Sequence, residues 1–192
     1  MKDFINVYDN AVSSDDCKSI IKIFEDDPNN NLTKGKTGYG DIDLTKKNCT
    51  QLSCSFQNKD IINPIIIKSL SKYTPLYAKD NPELDLVLVW NILDRYNIQK
   101  YNPKEGYFVE HCENDGNPEA VSRMLVWMIY LNTVTDDGGT YFTNYDRTTD
   151  AVEGRLVIWP AFWTHTHRGV VSNTQTKYIA TGWYGYAYGY GS

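Results

Sequence analysis

Apolar positions along this chain follow two patterns, one helical and one of short extended runs. From Cys17 to Phe24 they recur at helical spacing, just after Ser13-Ser14-Asp15-Asp16, whose short polar side chains suit a helix N-cap. This predicts a first helix that ends near Asp27-Pro28. Between Asp60 and Tyr77, the residues Ile61, Ile62, Ile65, Ile66, Leu70, Tyr73 and Leu76 form a second helical stripe. Pro64 falls in its first turn, where a missing N–H costs nothing. The intervening stretch, Asn29 to Asn48, is polar and rich in Gly and Lys. It reads as a long loop or irregular hairpin, a kind of segment that often flanks a binding site.

From Leu86 onward the apolar residues come in short runs of Val, Ile, Tyr, Trp and Thr broken by Asn, Asp, Gly and Pro. Strands are expected at about Asn97 to Tyr101, Tyr107 to Cys112, Met124 to Leu131, Arg155 to Ile158, Thr166 to Val171 and Lys177 to Trp183. Looser pieces are expected around Leu86 to Trp90 and Thr140 to Phe142. The fold class is therefore mainly β with flanking helices. It is a double-stranded β-helix, or cupin-like jelly roll, over about 86–184, with N-terminal helices over about 14–78 packed on its major sheet. One domain is expected over 1–192. The segment from Gly182 to Tyr190 alternates Gly with aromatics and suits an edge strand, a disordered end or a partner surface equally well, residues 185–192 being the tail.

Composition narrows the class. The 192 residues are 41 % hydrophobic and 14 % aromatic, enough apolar surface for a core that needs no staples. Cys17, Cys49, Cys54 and Cys112 form no CxxC pair, so reduced thiols are expected. A net charge of -5 offers no broad basic surface and disfavours nucleic acid as a partner. No run is long and apolar enough for a membrane span, and Met1 to Asn6 lacks a secretion-signal layout. A soluble, cytoplasmic protein is the expectation.

All three histidines lie in two short motifs, His111-Cys112-Glu113 and Trp163-Thr164-His165-Thr166-His167-Arg168-Gly169. A histidine and a carboxylate two residues apart, with a distant second histidine, make a 2-His-1-carboxylate set that holds non-haem Fe(II) and leaves positions open. On a strand His111 and Glu113 point the same way and Cys112 the other. His165 and His167 share parity too, so either could supply the distal imidazole. Lys177 follows His167 by ten residues inside the apolar run Tyr178-Ile179-Ala180. A cosubstrate with two carboxylates needs one end on the metal and the other on a buried cation, and Lys177 is placed for that. Tyr107, Trp127, Tyr141, Trp159 and Phe162 could wall such a cavity, although sheet-to-sheet packing is the plainer role for most of them.

With these motifs in order, the sequence resembles the 2-oxoglutarate/Fe(II) dioxygenases, and within them the prolyl 4-hydroxylase-like group, over roughly Asn97 to Trp183. The stretch from Ile98-Gln99-Lys100-Tyr101 through Gly106-Tyr107 to His111-Cys112-Glu113 is similar to the family's Tyr, Gly, Tyr, His-x-Asp run. Arg123 to Tyr130-Leu131-Asn132 is similar to its Arg then Tyr-Leu-Asn strand, and Asp137-Gly138-Gly139-Thr140 to its Gly-Gly-x-Thr loop. Gly154 to Pro160, His167, Lys177 and Trp183 match its closing segment.

The resemblance implies that His111, Glu113 and His167 bind iron, the ten-residue interval to Lys177 assigning the distal ligand to His167. Lys177 with Tyr130 would hold the distal carboxylate of 2-oxoglutarate, and Tyr101 would touch it. Arg123 and His165 would lie on the substrate side. The implied reaction couples oxidative decarboxylation of 2-oxoglutarate by O2 to hydroxylation of a C–H bond, in peptidyl proline or a similar peptide or amino-acid substrate, with ascorbate as an accessory reductant. Glu113 departs from the family's usual Asp by one methylene.

Two other classes compete. One is a three-histidine zinc or cupin-type metal site built from His111, His165 and His167, which would have no use for a buried Lys177. The other is an idle jelly roll that binds through its Gly/Tyr tail.

Overall fold

The computed structural model describes residues 2–27, 31–37, 40–58 and 60–187. Pro28, Asn29 and the end of the Gly/Tyr tail therefore lie outside the described residues. In chain order the elements are β1 (Asn6–Tyr8), α1 (Ser14–Asp26), β2 (Thr33–Lys34), β3 (Thr50–Ser55), α2 (Ile62–Asp80) and β4 (Trp90–Tyr101). They continue with β5 (Arg123–Tyr130), β6 (Thr140–Phe142), β7 (Arg147–Thr149), β8 (Leu156–Pro160), β9 (His167–Gly169) and β10 (Lys177–Tyr186). All strand pairs are antiparallel. They build a seven-stranded sheet in the order β1-β8-β5-β10-β4-β3-β2 and a three-stranded sheet in the order β7-β6-β9. This arrangement fits a jelly roll.

Both helices form where the apolar stripes predict them. Ser13 caps α1 by accepting the Asp16 N–H at 3.2 Å, and Cys17, Ile20 and Phe24 are its buried stripe. In α2 the buried apolar positions are Ile62, Ile66, Leu70, Tyr73 and Tyr77, while Ile61 and Leu76 of the sequence stripe face solvent. These side chains share one buried cluster with Leu125, Trp127 and Ile129 of β5, and Thr74 hydrogen-bonds Tyr184 of β10. The alternate β5 residues Val126, Met128 and Tyr130 enter a second cluster with Phe142, Val157 and Trp159. Strand β5 is thus apolar on both faces because both faces are covered, not because it lacks the strand period.

The structure corrects several expected strands. Between Tyr107 and Cys112 there is no strand, only isolated bridges from Tyr107 to Lys47 and from His111 to His167. Leu86 to Val89 precedes β4 rather than forming a strand; Leu86 is 87 % exposed and ends a short 3-10 turn. β1, β3 and β7 were not anticipated, being short or polar on one face. The run Gly182 to Tyr186 belongs to β10, a central strand between β5 and β4, so the edge-strand option falls for that part. Its glycines have a packing reason. A Cβ on Gly182 would stand 2.5 Å from the Trp127 ring, so only glycine lets that indole lie against the strand. The four cysteines are free, and no helix among the described residues is long and apolar enough to cross a membrane.

Candidate active site

The site lies between the two sheets, in a cavity of about 610 Å³ that opens on His111, Glu113, Arg123, His167, Lys177 and Trp183. His111 and His167 are joined by a reciprocal backbone pair, each N–H donating to the other's carbonyl at 2.9 Å. Glu113 is held next to them because its N–H donates to Ala161 O, just after β8, at 3.0 Å. A bent segment tied to β8 and β9, and not strand alternation, therefore brings His111 and Glu113 together. The donor atoms of His111, Glu113 and His167 all lie within 4.8 Å of one another.

Each donor is aimed by a neighbour. His111 Nδ1 meets Val109 O at 3.1 Å and His167 Nδ1 meets His165 O at 2.8 Å. An N–H on each Nδ1 leaves the Nε2 lone pair free for a metal. Glu113 Oε1 lies 3.5 Å from His111 Nε2 and 3.7 Å from His167 Nε2. Two ligands at right angles and ~2.1 Å from one ion stand ~3 Å apart, so a small contraction closes the set. Glu113 Oε2 faces the other way, accepting the Trp183 indole N–H at 2.9 Å with Arg123 Nη1 at 3.4 Å. The same Nη1 donates to Glu113 O at 3.1 Å, and the guanidinium lies 3.8 Å over the Trp183 ring.

Electrostatics suit metal binding. Burial opposes ionisation of Glu113, but the two imidazoles outweigh it and hold the carboxyl well below its usual range. Burial first, and His167 second, lower His111 and keep it neutral. Tyr107 stacks on the His111 ring at 3.6 Å and 13°. Behind His167, Trp159 and Phe142 form an apolar floor.

Lys177, 6 % exposed, reaches the same cavity. Its Nζ is 5.0 Å over the Tyr101 ring, and it has no ion pair among the described residues. Burial lowers its pKa to about 8. The Tyr101 hydroxyl donates to Gln99 Oε1 at 2.8 Å. Tyr130 is fully buried and off the cavity surface. Its hydroxyl meets Thr140 Oγ1 at 2.8 Å and Thr149 O at 3.0 Å, and Thr140 is the member of that group on the wall. Gly139 lets β6 approach β7 there, since a Cβ would stand 2.6 Å from Thr149 O.

His165 is the residue the sequence placed least well. It sits in a 3-10 turn, not on a shared strand face with His167, and its Nε2 meets Asp3 O at 2.8 Å while its ring packs on Tyr145. The three-histidine cluster is therefore not formed, and His165 reaches the site only through its carbonyl. Sequence reasoning also missed Lys47, Gln51 and Gln99 on the cavity wall. The run Lys46-Lys47-Asn48-Cys49-Thr50-Gln51 has no polar and apolar alternation that would have marked Lys47 or Gln51.

Residues 96–185 match the family model described as the 2OG-Fe(II) oxygenase superfamily. No curated protein matches the chain. Among solved structures, a viral collagen prolyl hydroxylase from Paramecium bursaria Chlorella virus-1, in complex with 2-oxoglutarate, is similar at 16 % identity and a TM-score of 0.66, covering 96 % of this chain and 97 % of that one. A Pseudomonas putida prolyl-4-hydroxylase is similar at 14 % identity and a TM-score of 0.72, covering 96 % and 94 %. A Trichoplax adhaerens prolyl hydroxylase, in complex with a peptide fragment of the hypoxia inducible factor oxygen degradation domain, reaches a TM-score of 0.75 at 14 % identity, covering 96 % and 84 %. The resemblance to the 2-oxoglutarate/Fe(II) dioxygenases, prolyl 4-hydroxylase-like in fold, is borne out. The donor set fits Fe(II) and the cavity fits 2-oxoglutarate, the cofactors that these matches support.

Proposed function

We propose, for a chain whose residues 96–185 match the 2OG-Fe(II) oxygenase superfamily, a dioxygenase in which His111, Glu113 and His167 hold Fe(II) and Lys177 pairs with the distal carboxylate of 2-oxoglutarate. One observation carries this reading: a single cavity contains both a pre-aimed three-ligand cluster and a buried ammonium without an ion-pair partner. A hydrolytic metal site has no need of that cation, and leaving it unpaired is costly. On this reading helices over 14–78 buttress a jelly-roll core over 86–184 within one domain.

Bound iron and 2-oxoglutarate supply O2-dependent decarboxylation of the keto acid and hydroxylation of a C–H bond. The chain supplies binding, orientation and shelter. The Val109 and His165 carbonyls fix the imidazoles, and Trp183 and Arg123 fix Glu113. Tyr101 flanks the cosubstrate beside Lys177, and Tyr130 acts on it through Thr140. Trp159 and Phe142 exclude water behind His167. Arg123, held flat on Trp183 at the cavity wall, faces the substrate, which we take to be peptidyl proline or a similar peptide or amino-acid C–H bond. Ascorbate would serve as reductant.

The test is succinate release that requires both Fe(II) and 2-oxoglutarate. It is followed by mass analysis of proline-rich peptides and free amino acids incubated with the enzyme. Gain of one oxygen atom identifies the substrate. A protein that binds Fe(II) yet yields no succinate with any of them overturns the reading.

A further inference from the structure

Lys177 is not the only buried ammonium in the cavity. Lys47 is 7 % exposed and lines the same cavity, and its ammonium has no hydrogen-bond or ion-pair partner among the described residues. It lies outside the stretch matched by the family model. With Cys49 and Gln51 it forms a buried alternating row leading into β3. Gln51 faces Gln99 across the β3–β4 ladder, and both line the cavity.

The two lysines line one cavity, each against a tyrosine ring. Lys47 pairs with Tyr107 in a β-bridge, its Nζ 5.1 Å over that ring, and the same ring stacks on His111. Lys47 Cε and Cys49 Sγ crowd the same side of Gly35, 3.1 Å and 2.4 Å from where a Cβ would stand. The Cys49 thiol lies within electrostatic reach of both ammonium groups and packs in one buried cluster with Tyr101. Tyr101, in turn, is the ring beneath Lys177 Nζ. Lys47, Cys49, Tyr101 and Lys177 thus form one continuous group beside the metal ligands.

Among the described residues no carboxylate neutralises that pair. Of the four acidic residues on the cavity wall, Glu113 is committed to the imidazoles, Glu110 accepts the Thr143 hydroxyl and Asp115 accepts the Asn117 N–H, and neither these nor Glu119 make an ion pair with either lysine. Burial has kept Cys49 a thiol by raising its pKa. Two buried cations with no counter-charge call for an anion from outside.

We propose that Lys47 is a second cation for the distal carboxylate of 2-oxoglutarate, acting with Lys177 across the Tyr101–Cys49 pair. This rests on the cosubstrate reading above. Two ammonium groups on one carboxylate explain why a lysine from the loop before β3 is buried against the ring of Tyr107, and they make that loop part of the cosubstrate pocket.

Equilibrium binding to the metal-loaded protein tests it, with 2-oxoglutarate compared against 2-oxobutyrate, a keto acid that lacks the distal carboxylate. Lys47→Met is expected to weaken 2-oxoglutarate at least roughly ten-fold, the worth of one charge-assisted hydrogen bond, and to leave 2-oxobutyrate within about two-fold. Lys47→Arg restores most of the loss. The unchanged 2-oxobutyrate affinity also certifies that the variant is folded. If Lys47→Met binds 2-oxoglutarate like the wild type while Lys177→Met does not, Lys47 serves something else and the proposal fails alone. If the wild type binds both keto acids equally, the cosubstrate reading fails with it.

Discussion

The indole N–H of Trp183 donates to Glu113 Oε2 at 2.9 Å, and in doing so turns Oε1 of the same carboxylate toward two imidazole nitrogens. A residue seventy positions away thus decides which oxygen faces the two histidines. The longer reach of Glu, where the resembling family usually has Asp, is accommodated by this hold.

Trp183→Phe keeps the ring under Arg123 and removes only the donor. Iron affinity should fall roughly 10- to 100-fold, the usual effect of losing a partner that orients a metal ligand. Titration with Co(II), followed by its visible bands, reads this directly. An unchanged affinity would show that Arg123 alone is enough to hold the carboxylate.

The two C-terminal histidines should separate cleanly. His167→Ala is expected to abolish stoichiometric metal binding. His165→Ala should retain it, because only the backbone carbonyl of residue 165 touches the site. Its own penalty is stability, about 1–3 kcal/mol for leaving Asp3 O without the His165 ring. Denaturant unfolding of both variants, set beside metal titrations, distinguishes the roles; iron lost with His165→Ala and kept with His167→Ala would reverse the assignment.

On the proposed pairing with 2-oxoglutarate, Lys177 should make cosubstrate affinity depend on pH. Burial lowers its pKa to about 8, and only the ammonium form pairs with a carboxylate. Below pH 8 the charge is present, and as pH rises past 8 the free protein loses it, so binding must take up a proton. The Kd of 2-oxoglutarate should therefore rise roughly ten-fold per pH unit above about 8. The Kd of 2-oxobutyrate should not follow that slope, and Lys177→Arg, which stays charged, should flatten it. The stability sign is the reverse. The unfolded lysine titrates higher, so the penalty of burying its charge is fully present below pH 8 and is relieved as pH climbs toward the unfolded value.

Gly182→Ala should destabilise the fold by about 1–3 kcal/mol without touching a metal ligand. The new methyl would meet Trp127 Cζ2 at 2.5 Å and Tyr96 Cβ at 2.9 Å, and both residues are fully buried with nowhere to move. Thermal unfolding checks this. A variant as stable as the wild type would mean that the Trp127 ring can shift.

Much of this architecture can be read from one dimension. The helical stripes of α1 and α2 are visible because each buries one face of a 3.6-residue period, and β5 and β10 because β-branched and aromatic runs have few other uses. The strand expected at Tyr107 to Cys112 is absent because its backbone bonds are split between β9 and the Lys46-Lys47 segment. No local pattern reports such partners.

By itself, the sequence pointed to His111, Glu113 and a C-terminal histidine as candidate ligands and to Lys177 as a candidate cation, since few residue types can do either job, and the structure brings His111, Glu113, His167 and Lys177 to one cavity. Only the tertiary structure decided the rest: that His165 turns to Asp3, that Tyr130 meets Thr140, that Trp183 aims Glu113, and that Lys47 joins the cavity. Those outcomes depend on hydrogen bonds and packing between segments far apart in the chain, and such contacts leave no periodicity behind them.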